Sequence, residues 1–411
     1  MQGIETGRLK DGARAAQARD AAFGALQRRD FTDAEARFRE LVDRPRPDPQ
    51  DHFGLAMALY EQQRWDDSLV QLEAACAREP RFVHAWLYQG VIHELAGRTR
   101  PTAGAYLRAD RLMQRMPAEA IPPEVRQLLA RGSRFLGETL YGELSTELQR
   151  VAREHGGASV GRLEPAVDMF TGRKPLRYDH PRWRPGLFYV PGLPPRTFFE
   201  REDFPWAHEV ESATDAIRAE LREAMARKSG FEPYVQHADG TPEARVWKGV
   251  NNSTDWSTLH LVRDGARRED AIATCPVTAS TIFAVPDLHA VPGYGPEIMF
   301  SVLKPKTLIP SHRGSVNGRL VVHLPLIVPP DCGHLRVGDD RREWHEGRLM
   351  FFDDTFDHEA WNGSDQRRVV LIFDVWNPHL TPPERAAFSA VLVTTAAFER
   401  ELLGEPVPPG V

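Results

Sequence analysis

A chain of 411 residues is long enough for two or three domains, each able to bury its own core. A net charge of −6 and a pI near 6.2 supply no field that would gather nucleic acid or an anionic membrane. Cys76, Cys275 and Cys332 are scattered without short paired spacing, which excludes a zinc motif and a disulfide framework and fits buried, reduced thiols.

The first segment, Met1 to Ala22, alternates charges with alanines and has no apolar core, so it reads as neither a signal peptide nor an anchor. No later run approaches the roughly 18 apolar residues of a membrane span. A cytoplasmic protein is the expectation.

A period of 34 then relates Ala34, Ser68 and Thr102, and in phase with them Phe38, Leu72 and Tyr106. His52-Phe53-Gly54-Leu55-Ala56 aligns with Trp86-Leu87-Tyr88-Gln89-Gly90, and Pro80 falls where such a repeat ends its second helix. Residues 16–115 therefore resemble tetratricopeptide repeats. Each helical pair has an apolar face too large to bury alone, so pairs stack and leave a concave groove. That groove reads either as a grip for a peptide or partner protein or as a helical brace.

Helical spacing continues from Pro122 to Glu154 through Val125, Leu128, Leu129, Phe135, Leu136, Leu140 and Leu144. Glycine, proline and aromatics take over from Gly156 to Pro195, marking a boundary. A helix is expected from Ala207 to Lys228. Beyond Gly240 short strands separated by turns are expected at Arg245–Val250, Ser257–Arg263, Glu297–Leu303, Arg319–Val328, Arg348–Asp353 and Arg368–Trp376. The fold class is thus α+β multidomain. Residues 1–155 form a helical repeat domain, 156–195 a linker and the start of the second domain, and 196–411 a sandwich or barrel of strands.

Alternation orients two of these strands. Leu320, Val322, Leu324 and Leu326 form an apolar face, with Arg319 and His323 on the other, which points them into a pocket. Arg368 likewise shares a face with Val370 and Ile372, opposite Val369, Leu371 and Phe373. Phe351, Phe352 and Trp361 read as core, since aromatics in strands mainly fill barrels.

His312, expected just before a strand, and His358, expected between two strands, are the candidate ligands for iron, since imidazole suits it. The common facial triad adds a carboxylate two residues after the first histidine, where this chain has Gly314. A carboxylate from Asp353, Asp354 or Asp357 could complete the site, water could fill the place, or the domain could be metal-free.

Five segments in order carry a closer resemblance: Asp255-Trp256-Ser257 with Leu259; Phe300-Ser301-Val302-Leu303-Lys304-Pro305; Pro310-Ser311-His312-Arg313-Gly314 with Asn317, Arg319 and His323; Phe352-Asp353-Asp354-Thr355-Phe356-Asp357-His358-Glu359-Ala360-Trp361; and Arg368 followed by Asp374-Val375-Trp376-Asn377-Pro378. The run from about Phe188 to Arg385 resembles the aspartyl/asparaginyl β-hydroxylases, Fe(II)- and 2-oxoglutarate-dependent oxygenases with a double-stranded β-helix (cupin-like jelly roll) fold. Members of that family similarly have glycine at the position of the missing carboxylate.

The resemblance implies that His312 and His358 bind iron, with water in the vacant position. It implies that Arg368, helped by the Ser301 hydroxyl, pairs with the distal carboxylate of 2-oxoglutarate, and that His323 contacts the carboxylate beside the keto group. Arg319 is the implied substrate contact. Val321 stands where the animal enzymes carry a second arginine, which points to a smaller or less acidic target.

The implied activity is hydroxylation by O2 of an aspartyl/asparaginyl-type or other residue in a peptide or protein gripped by the repeats. Its alternatives are the same chemistry on a free amino acid, peptide natural product or other small molecule, and an inactive repeat-based binding module. The bacterial relatives that act on lipid carry membrane helices, and this sequence has none. Neither nucleic acid nor a membrane is an expected partner.

Overall fold

The computed structural model describes residues 2–114, 116–227 and 230–405. Met1, Arg115, Lys228, Ser229 and residues 406–411, which fall within the expected domains and elements, lie outside the described residues. The described residues divide into two compact units, residues 2–140 with 398–405, and residues 141–397.

Six helices, α1 (Gln2–Gln27), α2 (Phe31–Val42), α3 (Pro49–Glu61), α4 (Trp65–Arg78), α5 (Val83–Leu95) and α6 (Thr99–Met113), build the repeats, and α7 (Pro123–Glu154) spans the 140/141 division. The 34-residue period is a packing code. Ala34, Ser68 and Thr102 are wholly buried, and Phe38, Leu72 and Tyr106 fill the spaces beside them. A Cβ on Gly54 would sit 2.2 Å from the Phe38 ring, and one on Gly90 would sit 2.4 Å from Tyr106. Glycine on one helix thus admits the large residue of a neighbouring helix, and a side chain there would overpack the contact by about 1–3 kcal/mol. Asp48 caps α3 in a capping box with Asp51, which satisfies two backbone N–H groups at that turn. Late in the chain, Phe398 and Leu402 pack against Ala103 and Leu107 within this same unit.

The second unit holds α8 (Leu163–Phe170), α9 (Ala207–Ser212), α10 (Thr214–Arg227), α11 (Pro242–Val246), α12 (Glu269–Thr274) and α13 (Pro276–Phe283), with α14 (Pro382–Leu403) spanning the 397/398 division. Its strands are β1 (Phe198–Phe199), β2 (Glu232–Pro233), β3 (Trp256–Arg263), β4 (Ala266–Arg267), β5 (Ile298–Leu303), β6 (Thr307–His312), β7 (Arg319–Ile327), β8 (His334–Val337), β9 (Asp340–Glu343), β10 (Met350–Phe352), β11 (His358–Asn362) and β12 (Arg368–Trp376). The larger sheet runs β1-β10-β7-β12-β5-β3-β2, with β4 beside β3, and the smaller runs β6-β11-β8-β9. The named ladders are antiparallel. Helical repeats followed by this two-sheet jelly roll are the expected architecture.

Alternation explains how the larger sheet has two faces. Leu320, Val322, Leu324, Leu326, Val369, Leu371, Phe373 and Val375 belong to a core shared with Ile217 and Leu221 of α10. Each such side chain contributes on the order of 1.5–3 kcal/mol on burial. The opposite face, with Arg319, Val321, His323, Arg368, Ile372 and Asp374, lines a cavity that the smaller sheet closes.

Four expectations are corrected. Arg245–Val250 is not a strand: Thr241 caps Pro242, which starts the short helix α11, and turns follow. The helix expected from Ala207 breaks at Ala213 into α9 and α10. His312 ends a strand rather than preceding one, and His358 begins one rather than lying between two. Trp361, expected in the core, is 37% exposed because odd positions of β11 face outward. The three cysteines are free and buried.

Candidate functional site

The cavity has a volume of about 110 Å³ and lies between the two sheets. Its centre is a strand pairing: His358 of β11 lies directly opposite His312 of β6, with a register shift just beyond it. The two imidazoles have centroids 4.0 Å apart. His312 Nδ1 lies 2.8 Å from the Pro310 carbonyl oxygen, and His358 Nδ1 lies 3.1 Å from that of Phe356. A carbonyl only accepts, so each Nδ1 carries the proton and each Nε2 keeps its lone pair, the tautomer a metal ligand needs. Burial, with the neighbouring imidazole adding to it, pushes His312 down to about 3, and burial pushes His358 down to about 4. Both rings are neutral at physiological pH.

One guanidinium braces the strands that carry them. Arg336 of β8 donates from Nη1 to Asp357 at 2.8 Å, from Nε to Glu359 at 2.8 Å and from Nη2 to the Ser311 hydroxyl at 3.2 Å. Asp357 and Glu359 flank His358, and Ser311 precedes His312. Trp247, from the turn after α11, lies 4.7 Å from the His312 ring.

Arg368, at the start of β12, is 1% exposed, and its Nε and Nη1 have no hydrogen-bond partner. Its guanidinium lies 4.4 Å over the Trp344 ring, and burial pushes it down to about 10. Ser301 lines the same cavity and accepts a hydrogen bond from Trp256 Nε1 at 3.1 Å. Trp344 Nε1 donates to His323 Nδ1 at 3.2 Å. Indole only donates, so the neutral His323 must hold its proton on Nε2. Burial and the Arg368 charge keep His323 well below its ordinary value.

Gly314 also has a reason. A Cβ there would stand 2.1 Å from Asp354 Oδ2, so the space is already filled by that carboxylate. Asp354 Oδ2 accepts from Arg319 Nη2 at 2.5 Å, while Oδ1 is buried without a partner. Of the three aspartates considered as substitutes, Asp354 alone lines the cavity. Asp353 is held by the Trp183 indole and by Thr355, and Asp357 pairs with Arg336. Among the described residues no group of three or more His, Cys, Asp or Glu is arranged to hold a metal ion.

Arg319 lines the cavity too, but its charge is committed. Beyond Asp354, it donates from Nη1 to Asp374 at 3.0 Å, and these two carboxylates raise its pKa against the effect of burial. Glu297 and Tyr234 complete that end, and burial pushes the Glu297 carboxyl up to about 8. All six residues singled out from sequence, His312, His358, Arg368, Ser301, His323 and Arg319, therefore line one cavity. Trp344, Glu297, Tyr234, Trp247 and Arg336 were missed. Each lies in a loop, a strand end or an outward position whose pattern carries no signal.

Residues 211–378 match the family model for aspartyl/asparaginyl beta-hydroxylase, and residues 16–75 and 53–112 match that for the tetratricopeptide repeat. Aspartate beta-hydroxylase domain-containing protein 2 of Mus musculus is 30% identical over 262 residues, covering 62% of this chain and 71% of that protein. The chain belongs to the aspartyl/asparaginyl β-hydroxylase family. The chain is 35% identical over 193 residues to the ornithine lipid ester-linked acyl 2-hydroxylase of Rhizobium tropici, covering 46% of this chain and 63% of that one. It is 28% identical over 212 residues to the human aspartyl/asparaginyl beta-hydroxylase, covering 51% of this chain and 26% of that one. The match thus spans less than two thirds of either of these two relatives. Among the described residues no helix is long and apolar enough to cross a membrane.

Proposed function

We propose that the jelly roll is an Fe(II)- and 2-oxoglutarate-dependent hydroxylase. The observation that carries this reading is Arg368, a buried guanidinium with two unpaired nitrogens at one end of a cavity whose centre presents two neutral imidazoles. An unpartnered buried cation is strongly unfavourable, and a ligand carboxylate would relieve it through a bidentate, charge-assisted pair.

The donor set fits the implied groups. His312 and His358 would hold Fe(II) through Nε2. Arg368 would take the distal carboxylate of 2-oxoglutarate, with the Ser301 hydroxyl beside it, and His323 Nε2–H would donate to the carboxylate next to the keto group. Asp354 would accept a hydrogen bond from a water in the place where other oxygenases have a carboxylate ligand. When bound, iron and 2-oxoglutarate supply the chemistry by which one oxygen atom of O2 hydroxylates an unactivated carbon, the other leaving in succinate as carbon dioxide is lost. The residues bind and orient the reactants. Phe352, Leu335 and Ile309 on the cavity wall exclude water.

The substrate is a residue in a peptide or protein, gripped by the repeats, in a cytoplasmic enzyme. A small-molecule substrate is the second reading, favoured by the identity to the Rhizobium tropici protein.

The test is succinate formation by the purified protein with Fe(II), ascorbate, 2-oxoglutarate and air, beside His312→Ala and Arg368→Ala. Turnover in the wild type that is lost in both variants is the expected result. Absence of turnover together with failure to bind Fe(II) and 2-oxoglutarate would leave only the binding module.

A further inference from the structure

The cavity is polarised. At one end Arg368 is unpaired; at the other, three carboxyl groups, of Glu297, Asp354 and Asp374, surround the single guanidinium of Arg319. Both Nη atoms of Arg319 are taken and its Nε is buried without a partner, so it offers no free fork to an incoming anion. Val321 lies directly opposite Asp374 in the β7–β12 register and adds no charge.

The remaining capacity at this end is for a donor. Asp354 Oδ1 is an acceptor without a partner in a side chain that is 9% exposed on the cavity wall. Glu297 is largely buried; its Oε1 accepts the Asp264 N–H at 2.5 Å, and its Oε2 lies 3.5 Å from His260 Nε2, an atom with no hydrogen bond. An entering carboxylate would meet the charges of Asp354 and Asp374 and an unpaired acceptor, whereas an ammonium group would satisfy that acceptor and favour the ionised form of the Glu297 carboxyl, which burial otherwise keeps mostly protonated at pH 7.

We propose that this end selects a substrate carrying an ammonium group near the reacting carbon and rejects one carrying a carboxylate, with Glu297 as the specificity-determining residue. This rests on the hydroxylase reading, because Arg368 and the histidines must be occupied by the co-substrate and iron for this end to receive the substrate.

The test is calorimetric titration of the full chain, first with 2-oxoglutarate and Fe(II) under anaerobic conditions, then with three probes of similar size: propylammonium, propionamide and propionate. Saturating 2-oxoglutarate keeps propionate from Arg368. Propylammonium is expected to bind at least about tenfold more tightly than propionate. Glu297→Gln and, independently, Val321→Arg are each expected to remove most of that preference while 2-oxoglutarate still binds. Failure of 2-oxoglutarate to bind the wild type would overturn the hydroxylase reading itself. Normal 2-oxoglutarate binding with propionate equal or superior, with no binding of propylammonium, or with the preference intact in both variants would overturn this proposal alone.

Discussion

Arg368 and Arg319 reach the same cavity from neighbouring strands of one sheet; Arg368 is 1% exposed and the Arg319 side chain 14%. Arg319 is closed between Asp354 and Asp374; Arg368 rests on the Trp344 ring with two nitrogens unmatched. The difference separates two uses of a buried charge. A guanidinium with two carboxylates is part of the framework, and one with none is a standing demand for an anionic ligand.

The same substitution at both sites should break this comparison most visibly. Arg319→Met leaves Asp354 and Asp374 buried without their cation and is expected to lower stability by about 3–5 kcal/mol in chemical denaturation. Arg368→Met removes an unmatched charge and is expected to leave stability within about 1 kcal/mol of the wild type. Equal losses would mean that the two arginines do the same work.

Ligand binding should reverse the ranking. Arg368→Met is expected to weaken 2-oxoglutarate by about 100-fold, on the order of 2.7 kcal/mol, measured by calorimetry on the metal-loaded protein. A nearly unchanged affinity would place the co-substrate elsewhere.

Gly314 serves the Arg319 end, because its missing side chain is what leaves room for Asp354 beside Arg319. Gly314→Ala is expected to cost about 1–3 kcal/mol by displacing that carboxylate, read as a lower denaturation midpoint. A neutral outcome would show that Asp354 has room to move. A smaller effect is expected for Trp344→Phe, which keeps an aromatic face under Arg368 but frees His323 from its fixed tautomer. About a tenfold loss of 2-oxoglutarate affinity is the expected result.

Acidification should act on the centre of the cavity. His312 and His358 are held neutral in the fold, while the unfolded chain protonates near 6.5. Between about pH 6.5 and 4 the unfolded state therefore binds more protons than the folded state, and these two groups make stability fall as pH falls through that window. Replacing both histidines by glutamine should flatten that part of the stability profile, and an unchanged profile would show that they are not held neutral.

Much of this was legible beforehand because it depends on periodicity. The 34-residue spacing of Ala34, Ser68 and Thr102 is the buried seam of the repeats, and the two-residue alternation around Arg319 and Arg368 separates core from cavity. The pairing state of the two arginines was not legible. Asp354 and Asp374 come from different segments, and only the closure of the barrel brings them to Arg319 while bringing nothing comparable to Arg368. Short strands were missed for a related reason. Thr307–His312 contains proline and serine, which carry weak strand preference, and is held by its pairing with β11. In Arg245–Val250 the opposite happened: Thr241 and Pro242 start a helix and override the apolar residues that follow.

The most direct test of the account is 2-oxoglutarate binding to the Fe(II)-loaded chain, compared between the wild type, Arg368→Met and His312→Ala. The account expects tight binding in the wild type and a large loss in both variants, each of which remains folded. Wild-type affinity retained in Arg368→Met would contradict it, because the unmatched guanidinium would then have no ligand to receive.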